Sequence, residues 1–452
     1  MIKRANFAVV GHPNKGKSSI VSTLCRNDSI LIASRSGTTT QANRYRVDLN
    51  NGGYELIDTP GFQRPRKVLK WLQSRAASSA ERARTVEAFC KDLDCQEQFP
   101  DEVELLRPIV NGAAILYVVD GSRPFGVEYE AEMEILRWTG RPSMALINPI
   151  ESEAYVEQWQ SALAQYFKTV RVFNPMTADF EKQVSLLETF AFLNADWSTN
   201  LKMVVSDLRE ERESQKRNCA VILSRLLEDL CAYSCSQKVL EQKQGEVVRP
   251  VLEKQYQNWM INREKRAIQE LLTIFSHRDA QLEISEFEVP PHLFDQSEWF
   301  AWGLNKKQLA TSAALAGAAA GAAVDMAVAG HSFMLGAIGG GIAGFGSAWF
   351  GAKKLTESKI KGIPLGGFEA IVGPISNPNF PYVILGRFIF LYQQVRNKNH
   401  ADRSALKISA SQFQSQISEL EKSSQTRIHS ACRDLTKQKI VENLSDILLE
   451  LL

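Results

Sequence analysis

Residues 6–10, Asn-Phe-Ala-Val-Val, run straight into Gly11-His12-Pro13-Asn14-Lys15-Gly16-Lys17-Ser18, and the amphipathic stretch Ser19 to Cys25 follows at once. A short buried strand, a glycine loop and a helix in that order are what a phosphate cradle requires. The glycines let main-chain N–H groups turn inward toward an anion at the helix amino terminus. In such a loop Lys17 reaches the β- and γ-phosphates and the Ser18 hydroxyl ligates Mg²⁺. Gly11, Asn14, Lys15, Gly16 and Ser19 complete the candidate nucleotide-binding residues.

Working outward, Ser36-Gly37-Thr38-Thr39-Thr40 is a loop-like cluster suited to a mobile switch that presents a threonine hydroxyl. Tyr45 to Leu49 and Tyr54 to Ile57 alternate like a hairpin around Asn50-Asn51-Gly52-Gly53. The second strand ends at Asp58-Thr59-Pro60-Gly61. Alone, that would be an ordinary turn. Behind a phosphate loop, Asp58 can hold Mg²⁺ through water and the Gly61 N–H can touch a γ-phosphate. Ala114 to Val119, ending at Asp120, and Met144 to Ile147, ending at Asn148, read as further buried strands. The expected fold is an α/β P-loop domain with a mostly parallel sheet over residues 1–195.

Together these motifs resemble the Era-like GTPases, the TrmE–Era–EngA–YihA group. Their first motif commonly reads Gly-x-Pro-Asn-x-Gly-Lys-Ser, which residues 11–18 match. Their switch motif reads Pro-Gly-x-Thr, and Ser36-Gly37-Thr38-Thr39 departs only by Ser for Pro, which implies Thr39 as a Mg²⁺ and γ-phosphate ligand. Lys17, Thr39 and Gly61 are then the groups expected to act on the γ-phosphate, and Ser18, Thr39 and Asp58 the metal-binding set. Asn14 matches an asparagine that helps several relatives bind K⁺ at the phosphates. Phe62 stands where many GTPases place a water-orienting Gln, and relatives are usually hydrophobic there, so the resemblance implies slow turnover awaiting a partner, an ion or a homodimer through the switch regions. The guanine-reading motif Asn-Lys-x-Asp is altered: Asn148 is kept, Pro149 replaces Lys, and Glu151 stands where Asp would be. That implies GTP and GDP as ligands, with guanine favoured over adenine. The family's last motif has no clear match, although Asn174 to Ala178 lies in the right area.

The stretch from Gln63 to Pro108 is longer than a switch helix needs and carries the basic cluster Arg64, Arg66, Lys67 and Lys70. It is either an insert that reports nucleotide state to an effector protein or a solvated helix.

The whole chain has 452 residues, 53 basic against 51 acidic side chains and a formal net charge of +2. Such a composition excludes a disordered, collagen-like or small disulfide-stapled chain. Near-neutral charge and the lack of a basic Gly-x-x-Gly loop weigh against nucleic acid as a partner. Seven cysteines without a Cys-x-x-Cys pair, six scattered histidines and no cleavable signal before the first strand point to reduced thiols in the cytoplasm.

From about Asp196 the texture becomes that of packed helices over 201–244 and 251–275, with breaks expected at Pro250, Pro290 and Pro291. Residues 368–391 read as a turn-rich connection or short hairpin, and 404–452 as one or two amphipathic helices. Between Leu309 and Ala352, ten glycines and 15 alanines make up 25 of 44 residues, and Asp325 is the sole charge. Gln308 to Ala329 and Phe333 to Ala352 are each long enough to cross a bilayer, bracketed by Lys306-Lys307 and Lys353-Lys354 with Trp302 and Trp349 near the ends. Small residues recur at every fourth position, at Ala313, Gly317 and Gly321 and at Gly336, Gly340 and Gly344, a spacing that lets two helices approach closely. The first span holds only Leu309, Leu315, Val324 and Val328 from the strongly apolar set, about −2 kcal/mol on the insertion scale, against about +3 for Asp325 at a helix centre. The segment therefore reads as a hairpin at the inner membrane or as a soluble helical hairpin packed in the carboxyl-terminal region.

The expectation is a Mg²⁺-dependent GTPase with a helical effector region that docks on the cytoplasmic membrane through residues 308–352. Two other classes compete: a nucleotide-binding structural module without turnover, and a soluble ribosome or RNA-assembly GTPase.

Overall fold

The computed structural model describes residues 4–26, 41–275, 349–354, 359–360, 363–364, 368–375, 380–402 and 422–452. Two compact units divide the chain: Met1–Arg212 with Asn397–Ser404, and Glu213–Arg396 with Ala405–Leu452.

The first unit is built on a six-stranded sheet in the order β2-β3-β1-β4-β5-β6. Its strands are β1 (Ala5–Val10), β2 (Asn43–Asp48), β3 (Gly53–Asp58), β4 (Ala114–Asp120), β5 (Ser143–Asn148) and β6 (Val170–Val172). All neighbours run parallel except β2 on β3, the expected hairpin, paired from Asn43↔Asp58 to Asp48↔Gly53. The apolar runs of β1 and β4 are explained by burial on both faces. Ala8 and Val10 pack into one core with Ile115, Tyr117 and Val119, while Phe7 and Val9 pack into the other with Leu116 and Val118.

On the first face lie α2 (Pro65–Gln73), α3 (Arg82–Lys91), α4 (Leu93–Gln98), α5 (Pro100–Val110), α6 (Glu128–Trp138) and α7 (Val156–Leu163). The long stretch after the switch motif is therefore folded and largely helical. Val68, Leu72, Val86, Phe89 and Leu106 bury into the core, while Arg64, Arg66, Lys67 and Lys70 are exposed. On the other face lie α1 (Lys17–Cys25), α8 (Phe180–Ala191) and the start of α9 (Ala195–Ala232), whose Trp197 and Leu201 are buried.

The second unit has its own core, formed by the later part of α9, by α10 (Gln242–Ile274), by α11 (Phe380–Asn397), α12 (Lys422–Thr436) and α13 (Leu444–Leu449), and by an antiparallel sheet. That sheet joins β7 (Cys235–Val239), β11 (Phe368–Val372) and β8 (Trp349–Lys354) in the order β7-β11-β8. A two-stranded ladder pairs β9 (Lys359–Ile360) with β10 (Ile363–Pro364).

Several expectations are corrected here. Cys235–Val239 is a strand and not helix, because β11 supplies it with a ladder from Phe368↔Val239 to Val372↔Cys235. Pro250 does not break the chain but lies inside α10, where Leu252, Tyr256 and Met260 bury the helix beyond it. Residues 380–397 form an 18-residue helix instead of a turn-rich connection. Trp349 to Ala352, expected at the end of a helical span, belong to β8. The rest of the Ala/Gly-rich hairpin lies outside the described residues, as do Pro290 and Pro291.

Candidate nucleotide-binding site

The carboxyl ends of β1, β3, β4, β5 and β6 lie along one edge of the sheet, where open α/β folds bind ligands. The loop after β1 gathers there on conformations that few residues adopt. Gly16 sits at φ 84° directly before α1, and Asn14 is left-handed at φ 60°. A Cβ on Gly16 would strike the Asn148 amide, and one on Gly61 would lie 2.6 Å from the Pro13 nitrogen. No side chain caps α1 and no acid stands in its first turn, so its leading N–H groups face the loop.

Lys17 is 8% exposed, and its ammonium donates to the carbonyls of Gly11 at 3.3 Å and His12 at 3.0 Å. Burial lowers its pKa to about 8, although Asp58 and Glu132 favour the charged form. A bound anion would supply the counter-charge that these carbonyls supply only as dipoles. Ser18 Oγ donates to Asp58 Oδ2 at 2.7 Å, which brings two of the expected metal-binding residues together. Thr59 Oγ1 donates to the Val9 carbonyl at 2.7 Å and the Phe62 N–H to that of Gly11 at 3.2 Å, fastening the switch motif to β1. Oxygen donors of this kind suit Mg²⁺, which needs substrate phosphates to complete its shell. No group of three or more His, Cys, Asp or Glu able to hold a metal occurs among the described residues.

The remaining expected residues are placed as follows. Thr39, with its switch cluster, lies outside the described residues. Asn14 is exposed and Ser19 half-buried in the first turn of α1. Asn148 is buried and its Nδ2 donates to the Lys15 carbonyl at 3.1 Å, tying the base-side loop to the phosphate loop. Its Oδ1 is buried without a hydrogen-bond partner, an acceptor that a ligand N–H would satisfy. Glu151 is not aimed with it: its exposed carboxylate lies 3.7 Å from Arg123. Phe62 is fully buried, and Gln63 beside it is exposed.

Four acids and an amide near these loops were not legible as site residues. Asp120 Oδ2 accepts from Lys15 Nζ at 3.4 Å while its Oδ1 accepts from the Ser122 N–H at 3.0 Å. Glu132 on α6 is fully buried, 2.8 Å from His12 Nδ1 and 2.9 Å from the Tyr117 hydroxyl that donates to it, and burial raises its pKa. Glu102 Oε1 on α5 accepts from the Gln63 and Arg64 N–H groups at 3.0 and 2.5 Å, and Glu104 accepts from the Ala42 N–H at 3.4 Å. Thus α5 holds both the end of the switch motif and the entry to β2. Asn174 Nδ2 donates to the Pro149 carbonyl at 3.1 Å, linking the loops after β5 and β6. Two carried a signal in sequence: Asp120, as an acid ending a strand, and Asn174, in the stretch where the family's last motif would fall.

Comparison with known proteins adds three findings. A family model described as "50S ribosome-binding GTPase" matches residues 6–148, and one described as "Domain of unknown function (DUF3482)" matches residues 160–445. Among curated proteins, GTPase Der of Mycoplasma pneumoniae is 27% identical over 142 residues, 31% of this chain and 26% of the relative. GTPase Der of Agathobacter rectalis is 36% identical over 87 residues, 18% of this chain and 20% of the relative. The chain thus spans about a quarter of the length of the curated relatives it matches. Among solved structures, Era in complex with MgGDPNP and nucleotides 1506-1542 of 16S ribosomal RNA aligns at 14% identity and a TM-score of 0.29, covering 61% of this chain and 90% of that one.

Proposed function

We propose a function from one premise: this chain belongs to the DUF3482 family, a domain of unknown function here carried behind a P-loop GTPase domain of the Era and Der type. On this reading the first unit binds GTP and GDP, hydrolyses GTP slowly, and reports the bound nucleotide through its switch-adjacent helices.

The observation that carries the reading is the pairing of Ser18 with Asp58 beside the buried Lys17. When bound, Mg²⁺ would neutralise charge on the β- and γ-phosphates, with Ser18 and Thr39 as its protein ligands and Asp58 behind a water. Lys17 would leave the Gly11 and His12 carbonyls for the phosphate oxygens. Gly61, packed on Pro13, offers its N–H to the γ-phosphate. Phe62 is buried and cannot orient water, so slow turnover is the expected behaviour. Exposed Asn14 is the candidate K⁺ ligand, and replacing K⁺ by Na⁺ without loss of rate would remove that role. Guanine is favoured by the resemblance of Asn148 to the guanine-reading motif, and its buried Oδ1, which has no protein donor, is open to a base N–H.

The same proposal holds that an effector protein reads the exposed Arg66, Lys67 and Lys70 of α2, and that residues 308–348, ahead of β8, associate with the cytoplasmic membrane. Support for the latter is the pair of nearly uncharged spans between lysine pairs. No helix among the described residues is long and apolar enough to cross a membrane. A ribosomal role is the second reading, favoured by the family description matched at 6–148, and it withdraws the charge argument against nucleic acid.

Binding of fluorescent GDP and ADP with Mg²⁺ tests the proposal. GDP binding that is lost in Lys17→Ala and weakened by chelation supports it; equal affinity for ADP removes the guanine reading. Co-sedimentation of the full chain with vesicles or with ribosomes separates the two partner readings.

A further inference from the structure

We propose that Asn399, from a segment more than two hundred residues beyond the GTPase motifs, is a positioning residue of the nucleotide's base loop. The inference rests on the nucleotide-binding reading above and names a part of that site to which no motif points.

The loop after β6, residues 174–178, stands at the same sheet edge as the phosphate loop. It is joined to the Asn148 loop by the Asn174–Pro149 hydrogen bond and to α1 by Thr23 Oγ1, which donates to the Pro175 carbonyl at 2.9 Å. Its fold is also set from within, because the Met176 N–H donates to Asn174 Oδ1 at 2.9 Å and the Ala178 N–H to the Asn174 carbonyl at 2.8 Å. The outer side of the loop is held by Asn399. Its Nδ2 donates to the Met176 carbonyl at 3.0 Å, and its Oδ1 accepts from Gln183 Nε2 of α8 at 2.8 Å. Gln183 Nε2 lies in turn 3.1 Å from the Ala178 carbonyl. The next residue closes the arrangement, since Ser22 Oγ of α1 donates to the His400 carbonyl at 3.1 Å.

Asn399, His400 and Ala401 are 5%, 7% and 2% exposed, and Asn397–Ser404 belongs to the same compact unit as Met1–Arg212. The segment is therefore built into the nucleotide-binding fold and is not a passing linker. Asn399 uses both ends of its amide in fixed directions, so it holds the loop in one position where a single donor would let it pivot. A loop so fixed presents a preformed wall to the base, and ordering it does not have to be done by the ligand.

The test uses the full chain with fluorescent GDP, and with inorganic tripolyphosphate as a competitor that carries phosphates but no base. Asn399→Ala is expected to release GDP about tenfold faster, with tripolyphosphate affinity unchanged. Gln183→Ala, which removes one arm of the clamp, should give a smaller rise in the same direction and guards against a misfolded Asn399 variant. Parallel losses for GDP and tripolyphosphate would mark general damage and overturn the assignment. If wild type binds GDP and both variants release it at the wild-type rate, the inference fails while the nucleotide reading stands. If wild type binds neither ligand, both fail together.

Discussion

Ser18 Oγ donates to Asp58 Oδ2 at 2.7 Å, joining the first turn of α1 to the last residue of β3. On the proposed reading Ser18 would ligate a divalent cation here and Asp58 would hold it through a water. Asp58→Asn keeps the shape and an acceptor for Ser18 but removes the charge. It is expected to raise the Mg²⁺ concentration needed for half-maximal GTP binding by about tenfold or more. A Mg²⁺ titration identical to wild type would contradict this role.

Lys17 gives the pH dependence its sign. Burial lowers its pKa from 10.5 to about 8, so the free protein loses the ammonium as pH rises past that value. Bound phosphate favours the charged form, so binding takes up a proton in the interval above about pH 8. Affinity for GDP should be level below that pH and fall above it, by up to about tenfold per unit. Calorimetry in buffers of differing ionisation enthalpy, one unit above the Lys17 value, should register proton uptake. Observed heats that do not change with the buffer's ionisation enthalpy would contradict proton uptake by Lys17.

Glu102 is fully buried and receives the N–H groups of Gln63 and Arg64, which lead into α2 directly after the switch motif. Glu102→Ala leaves both donors without that acceptor and should cost about 1–3 kcal/mol in urea unfolding. Glu102→Gln retains an acceptor and should lose less. Equal losses would show that shape alone matters at this position.

In the second unit, Arg387 Nε and Nη2 donate to the two oxygens of Glu264 at 2.6 and 3.0 Å, with both side chains nearly fully buried. Arg387→Ala strands a buried carboxylate and should cost about 3–5 kcal/mol. The paired replacement Arg387→Met with Glu264→Leu should recover most of that loss, because it removes both charges at once. Guanidinium denaturation of the single and double variants measures the difference.

The first unit was legible because its signals are local. The apolar runs of β1 and β4, the glycines after them and the hairpin at residues 50–53 each specify an element within a few residues. The failures share a physical cause. Phe380 to Tyr392 is apolar apart from Arg387 and buried on several sides, so no 3.6-residue period survives to mark it. Glu102 and Glu132 look like solvated helix faces and become site residues only when a neighbouring loop offers N–H groups or a histidine. The Ala/Gly-rich span ends in β8 because a partner strand, β11, follows it. Asn399 had no local signal at all, since its partners Met176 and Gln183 stand over two hundred positions earlier.

Hydrolysis of GTP at the phosphate site is the core of the proposed function. Phosphate release from GTP and from ATP by the full chain with Mg²⁺ tests it most directly, with Lys17→Ala measured beside it. Slow release from GTP, less from ATP, and a loss of about a hundredfold or more in Lys17→Ala are expected. Equal release by wild type and Lys17→Ala would contradict it and leave a nucleotide-binding module without turnover.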